Sequence, residues 1–245
     1  MLRASLFVGL VASALLPACA ASTPDDELGQ ESAADGEDGK GDAAAAFTYY
    51  NVRPDLRACS LNSPGDCGVG FFVSRANRST TQCGRGVAQA ECKALSINWV
   101  PTAMPASVAK SYEDRLRAGE SFVLRGTLAP TADDRGTQLS VTEVWVGSSN
   151  EQVDGVFTVV KDNGIRCITA PCPSLTERRL NSSLSAQLAS VDLSDSGADE
   201  AAQTLARNDL YGNGLIVVGY RFVDDAGGKG RTANKFFTRA PVPLH

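Results

Sequence analysis

A chain of 245 residues, 43% hydrophobic and 21% charged, is long enough to bury one large core or two modest ones. Its net charge of −5 is concentrated: residues 20–46 hold eight acids against Lys40, so the part from Phe47 onward carries about one net positive charge. That balance provides no field for nucleic acid or an anionic surface, and the single histidine, His245, excludes imidazole triads and histidine metal sites.

The chain opens with Arg3 and an apolar run from Leu6 to Leu16, too short to span a bilayer and ending in Pro17-Ala18-Cys19. This predicts an export signal over residues 1–19. Leu-Pro-Ala-Cys resembles the bacterial lipoprotein box, which implies acylation of Cys19 and a membrane hold through lipid chains. An ordinary cleaved signal with an incidental cysteine is the rival reading. Ala20, where an aspartate would signal retention, leans the anchored chain toward the outer membrane or cell surface. Residues 20–46 are Ala, Gly, Ser, Asp and Glu with little to bury, which predicts a disordered acidic tether.

Six cysteines follow the leader: Cys59, Cys67, Cys83, Cys92, Cys167 and Cys172. An even number in an exported chain predicts disulfides, and the near neighbours point to three local pairs: Cys59–Cys67, Cys83–Cys92 and Cys167–Cys172. The gaps are too long for zinc knuckles, so no metal is expected.

From Phe47 the chain reads as two copies of one unit, residues 47–149 and 150–245. Phe47–Val52 and Val156–Val160 are strand-like, and each leads to an arginine beside a cysteine loop, Arg57 before Cys59 and Arg166 before Cys167. Ala94–Trp99 matches Leu188–Leu193 as a strand. A helix carrying Val108, Tyr112 and Leu116 on one face, opened near Pro105 and closed at Gly119, matches a helix over 198–210 with Ala201 and Leu205 on its apolar face. Ser196 with Asp199 resembles a capping box for the second. Ser121–Gly126 and Leu215–Gly219 are strands, and the pairs Gly119/Gly126 and Gly212/Gly219 share one spacing. Asp133–Gly136 and Asp224–Gly227 read as hairpin turns before final strands Gln138–Val146 and Thr232–Arg239. The expected fold is α+β: two tandem related units, mostly antiparallel sheet with one short helix packed per unit.

Tyr50-x-Val-Arg-x-Asp-Leu-Arg-x-Cys59, Gly70-Phe-Phe-Val-Ser-Arg-Ala-Asn-Arg78 and Gly164-Ile-Arg-Cys-Ile-Thr-Ala-Pro-Cys-Pro173 resemble an uncharacterised family of secreted bacterial lipoproteins, a domain of unknown function. The resemblance runs from about Phe47 to the C-terminus. It implies export and a common fold, and no activity.

No serine stands in a nucleophile motif, and no cofactor is implied. Convergence of Glu113, Asp114, Glu143, Asp192 and Asp195 would be needed for carboxylate-pair hydrolysis. A calcium loop over 192–203 fails at Gln203, where a bidentate Glu belongs. The Cys167–Cys172 loop, framed by Pro171 and Pro173, offers Ile168, Thr169 and Ala170 as a rigid binding segment; as a plain staple it would only end a strand. Arg57 and Arg166 are candidate anion contacts, or else stack on the sheet or pair with an acid. Arg75, Arg78, Arg178 and Arg179 read as solvated surface. The expected function is a non-catalytic, lipid-anchored envelope module, structural or binding an unidentified envelope or extracellular partner and no nucleic acid. Inhibition of a secreted protease through the cysteine loop comes second, and an exported carboxylate-dependent hydrolase third.

Overall fold

Short runs rich in Val, Ile, Phe, Tyr and Thr become thirteen strands in the computed structural model, which describes residues 48–57, 68–83, 86–131 and 136–241. The leader, the tether, Cys19, the Cys59–Cys67 pair and most of the Asp133–Gly136 turn lie outside the described residues.

The first half forms β1 (Thr48–Pro54), β2 (Phe71–Arg75), a small hairpin of β3 (Thr81–Gln82) and β4 (Ala88–Gln89), β5 (Cys92–Asn98), helix α1 (Ala106–Arg117), β6 (Phe122–Pro130) and β7 (Thr137–Gly147). β1 pairs with β2 and β6, β2 with β5, and β6 with β7, all antiparallel, while β5 pairs with β7 in parallel. These pairings close a ring, β1-β2-β5-β7-β6-β1. A five-stranded closed barrel with a helix between its third and fourth strands has the connectivity of an OB-type barrel. Phe71, Val73, Leu124, Leu139 and Val141 fill its interior, and Leu116 of α1 joins the same core.

The second half repeats the order with β8 (Val156–Asp162), β9 (Leu175–Arg179), β10 (Ser185–Leu188), β11 (Ser190–Asp192), α2 (Glu200–Asp209), β12 (Leu215–Val223) and β13 (Lys229–Arg239). β8 pairs with β9 and β12, β9 with β10, and β12 with β13, again antiparallel; β11 meets β13 in parallel. The third strand of this ring is split at Ala189, whose N–H turns to the Lys229 carbonyl. Leu188, Leu193, Leu215, Val217 and Phe236 make its core.

Each half also carries a bulge at the same place, between Arg125 and Gly126 in β6 and between Val218 and Gly219 in β12. A Cβ at Gly126 would sit 2.1 Å from the Ser140 carbonyl oxygen, and one at Gly219 would sit 1.9 Å from that of Thr232. No side chain fits there.

The rings share one eleven-stranded sheet because β7 and β13 pair antiparallel, Val146 opposite Thr238. Trp145, Val123, Ala76 and Tyr49 of the first half pack with Phe237, Ile216, Leu180 and Phe157 of the second. Two asparagines with positive φ, Asn77 (57°) and Asn181 (55°), lock this contact reciprocally. The Asn77 amide nitrogen donates to the Phe157 and Leu180 carbonyls at 2.7 and 3.1 Å, and its oxygen accepts from Phe157 N–H at 2.8 Å. Asn181 donates to the Tyr49 and Ala76 carbonyls at 2.8 and 2.9 Å and accepts from Tyr49 N–H at 2.9 Å. Asparagine tolerates the left-handed backbone here while its amide completes a neighbouring strand end.

The sheet is mostly antiparallel with one helix per half, as expected. Several elements differ from the sequence reading. The first half has β2 and the hairpin strands β3 and β4 beyond those predicted, and the second half has β9. Leu188–Leu193 is not continuous, since the strand crosses from β9 to β13. On α2 the buried face is Ala202, Ala206 and Leu210, an i, i+4 row, while Ala201 points outward and Leu205 is 66% exposed. Its N-cap is Asp199, whose carboxylate accepts the Ala202 N–H at 2.7 Å. Ser196 instead donates to the Leu193 carbonyl within a preceding 3-10 turn. The positive-φ glycine after the second helix is Gly214, not Gly212. Arg78 is not simply solvated, for it donates to the Asn181 carbonyl across the junction.

Candidate functional site

The connection from β8 to β9 is where the predicted loop falls. Cys167 and Cys172 are bonded, with Cα atoms 5.5 Å apart, and Cys83–Cys92 is a second disulfide, with a Cα separation of 5.2 Å. Residues 164–171 are all exposed, and Ile168 reaches 104% of its reference surface. An isoleucine with nothing against it leaves on the order of 2 kcal/mol of burial unrealised.

The base of the loop is fixed by its own polar groups. Asn163 donates from its side chain to the Pro173 carbonyl and accepts the Ile165 N–H, both at 2.8 Å, while its backbone N–H meets the Ser174 carbonyl. Pro171 packs close to Gly228, in the Asp224–Gly228 turn that joins β12 to β13. A disulfide, two prolines and this asparagine thus present Ile168, Thr169 and Ala170 on a short, constrained ring.

Arg166 stands at the rim. Its guanidinium is held by Asp162 at 2.9 and 3.0 Å and by the Ile165 carbonyl at 2.8 Å. The hydrogen bond to Arg166 holds the Asp162 carboxyl below its ordinary range, and the reciprocal bond raises Arg166. Tyr211, 69% exposed, lies close enough to Arg166 to act on its charge. Ile168 is thus exposed on a loop whose rim carries an arginine anchored by Asp162.

Arg57 occupies the matching place after β1 but is held differently. Asp55, its side chain wholly buried, accepts from Arg57 Nε and Nη2 at 2.8 and 2.7 Å. The bond from Arg57 drives the Asp55 carboxyl far below the ordinary carboxylate range. The same guanidinium stacks on Phe72, 5.0 Å from the ring centroid. Both arginines therefore pair with an acid, and Arg57 stacks as well.

The five acids weighed for hydrolysis are each placed by local partners or turns. Glu113 binds Arg117 and accepts from the Trp99 indole, and Asp114 pairs with Lys110 within α1. Glu143 on β7 meets Arg125 and Arg239. Asp192 accepts the Ser194 N–H, which lowers its carboxyl, and Asp195 is exposed in the following turn.

Two sets of buried charges escaped the sequence reading. Lys235, 2% exposed, donates to Ser121 Oγ and the Glu151 carbonyl at 2.7 Å each, and desolvation pushes its ammonium down to about 8. Glu177 and Arg231 pair at 2.6 Å inside the second barrel, with Arg221 on the other carboxylate oxygen. Both sets arise from long-range register, which no local pattern announces.

The family model described as a domain of unknown function, DUF6748, matches residues 48–241, from the start of β1 to just past β13. The chain belongs to the DUF6748 family. Both barrels and the β7–β13 junction lie within that match, so the DUF6748 domain is the whole double-barrel body. No curated protein and no solved structure matches the chain. The two disulfides among the described residues are those of an oxidising, extracellular setting, and no helix among those residues is long and apolar enough to cross a membrane.

Proposed function

We propose that this DUF6748 protein is a non-catalytic binding module of the cell envelope, carried on acylated Cys19 and the acidic tether of residues 20–46. The observation that carries the binding role is Ile168, completely exposed on a disulfide-closed ring whose base is pinned by Asn163. A staple that merely ends a strand has no need of an apolar side chain at its tip. The partner is an envelope or extracellular protein with an apolar socket for Ile168 and an acceptor for Arg166.

A photo-crosslinking amino acid placed at 168 in the native cell tests this, with the same probe at exposed Leu184 and Val100 as controls. One defined adduct at 168, absent at both controls and lost in Ile168→Asp competition, supports the docking role. Equal labelling at all three positions overturns it. The anchor is tested separately: the intact protein from its membrane carries acyl mass on Cys19, and a mass without it refutes that part.

The same loop supports a second reading, inhibition of a secreted protease, because a proline-framed, disulfide-constrained and fully exposed segment suits a protease cleft. Dose-dependent inhibition lost in Ile168→Asp distinguishes it from docking on a non-enzyme.

The two barrels are, on our reading, copies of one unit. Support comes from the repeated strand order, the matched bulges at Gly126 and Gly219, and the reciprocal Asn77 and Asn181 bonds. Val146 opposite Thr238 at the centre of the junction makes the contact isologous, as between two copies of one surface.

A further inference from the structure

Ser121 and Lys235 make a pair across the junction that neither the docking loop nor the strand ladder uses. Lys235, 2% exposed on β13, brings its Nζ to 2.7 Å from Ser121 Oγ, just before β6. The Glu151 carbonyl accepts from the same Nζ at 2.7 Å and sets its direction. Both partners are neutral, so the buried amine is held by a hydroxyl and a backbone carbonyl. Ser121 itself is only partly buried, and its backbone is fixed on both sides. Its carbonyl accepts the Gly147 N–H at 2.8 Å, and its own N–H donates to Asn150 Oδ1 at 3.3 Å.

The equivalent place on the other side of the junction shows that the fold does not require this pair. The bulge glycines Gly126 and Gly219 stand opposite Val141 and Ala233, which makes Glu143 of β7 the counterpart of Lys235. Counting back from the same two glycines makes Gly214 the counterpart of Ser121. Glu143 is ion-paired, with Arg125 and Arg239, and Gly214 has no hydroxyl to offer. A lysine buried against neutral partners is costly to keep, and an apolar residue of similar length would fill the space at less cost.

A nucleophile and a base in hydrogen-bond contact, with the base oriented by a third group, is the arrangement that activates a hydroxyl. Desolvation pushes the Lys235 ammonium down to about 8, which places a share of neutral amine beside Ser121 near neutral pH. A neutral amine at 2.7 Å accepts the serine proton instead of donating its own. We infer that Ser121, with Lys235 as its general base, is a covalent acceptor for the acyl group of an activated ester. Ser121 Oγ bonds to the ester carbonyl carbon as its proton passes to Lys235 Nζ. The carbon–oxygen bond to the leaving group then breaks, and the departing oxygen takes that proton. The products are an ester on Ser121 and a free alcohol, with Lys235 neutral again. The site takes up an acyl group and does not rest on the Ile168 loop. No sequence motif marks it, because its two residues lie 114 apart in the chain.

Incubating the whole protein with p-nitrophenyl acetate and locating the acetyl group by peptide mass mapping tests the site. An ester on Ser121 is expected, and none on Ser107 of α1, which is more exposed. The rate of labelling is expected to rise with pH to a half-maximum at about 8 and then to level, as Lys235 gives up its proton. The charged groups beside the pair are Glu151, which acts on Lys235, and Glu120, held by Arg115; carboxylates titrate well below that range. Ser121→Ala abolishes the ester, and Lys235→Met slows its formation about a hundredfold or more, the usual weight of a general base. The pH profile is read on the wild type, so it decides the matter even where Lys235→Met fails to fold. Absence of acetyl from Ser121, equal labelling of Ser107, a wild-type rate in Lys235→Met, or a rate that follows hydroxide with no plateau overturns the proposal.

Discussion

Lys235 gives the sharpest test of the energetics. Its ammonium is buried between β13 and the segment that joins the two barrels, held by Ser121 Oγ and the Glu151 carbonyl, 5.3 Å from the Phe237 ring centroid. Desolvation lowers it from 10.5 to about 8. At about 1.4 kcal/mol per unit of pKa, burying the charged form costs about 3 kcal/mol. The folded state releases this proton at lower pH than the unfolded chain, so the unfolded chain binds more protons between about pH 8 and 10.5. The cost is therefore present in full below pH 8 and disappears as pH rises through that window, which makes stability climb. Lys235→Met keeps the stem and removes the charge, but leaves the Glu151 carbonyl short of a donor, a loss of about 1–3 kcal/mol. Near pH 7 the two effects nearly cancel, and the variant is expected within about 2 kcal/mol of wild type. The pH dependence does not cancel. Urea unfolding followed by Trp99 and Trp145 fluorescence, at neutral and alkaline pH, is expected to show wild type gaining about 3 kcal/mol on the variant across the window. Tyr49 and Tyr50, both raised by burial, titrate alike in the two proteins and drop out of the difference. Parallel stability curves would refute the reasoning, since they would mean that Lys235 is not buried as a charge.

Other substitutions test the frame. Gly219→Ala puts a methyl 1.9 Å from the Thr232 carbonyl oxygen and is expected to destabilise by more than about 2 kcal/mol, read as a lowered melting temperature. Asn181→Ala strips the Tyr49 backbone of both its side-chain partners and removes the bond to the Ala76 carbonyl; a loss of about 2–4 kcal/mol is expected, with the two halves no longer melting in one transition. Glu177→Gln removes the carboxylate charge that pairs with fully buried Arg231 and should cost about 3–5 kcal/mol in denaturant unfolding.

Local chemistry made much of this readable. Alternating β-branched runs located β1, β8, β12 and β13, and close cysteine spacing found Cys83–Cys92 and Cys167–Cys172. What escaped depends on partners far along the chain. Leu175-Thr-Glu-Arg-Arg179 looks polar, and becomes a strand because Glu177 turns inward to Arg231, 54 residues away. On α2 the sequence offers two apolar rows, Ala201 with Leu205 and Ala202 with Ala206 and Leu210; the second is buried because it faces Leu188, Leu193 and Phe236, which come from elsewhere in the chain. The junction did leave a trace. Arg75-x-Asn77 and Arg179-x-Asn181 repeat one pattern at the ends of β2 and β9, and laying the halves together from β9 as well as from β8 would have exposed it.

The matched and unmatched positions divide along a physical line. Where backbone meets backbone, at the bulge glycines and the left-handed asparagines, both halves keep the same residue, because neither tolerates a replacement without losing strand closure or the junction. Where side chains meet solvent, the halves differ. The first presents arginines on Phe72 above a buried Asp55; the second has Thr176 and Asn163 there and instead closes its β8–β9 loop into a ring with Ile168 at the tip. A junction built from both halves lets either outer face change without disturbing closure of the other barrel. On the reading proposed here, this is what the paired architecture makes available: a docking loop on one barrel, carried by a sheet that the other barrel helps to close. Ile168→Asp, at a fully exposed position, should then abolish docking and leave the melting temperature where it was, and a lowered melting temperature would show that the side chain serves the fold instead.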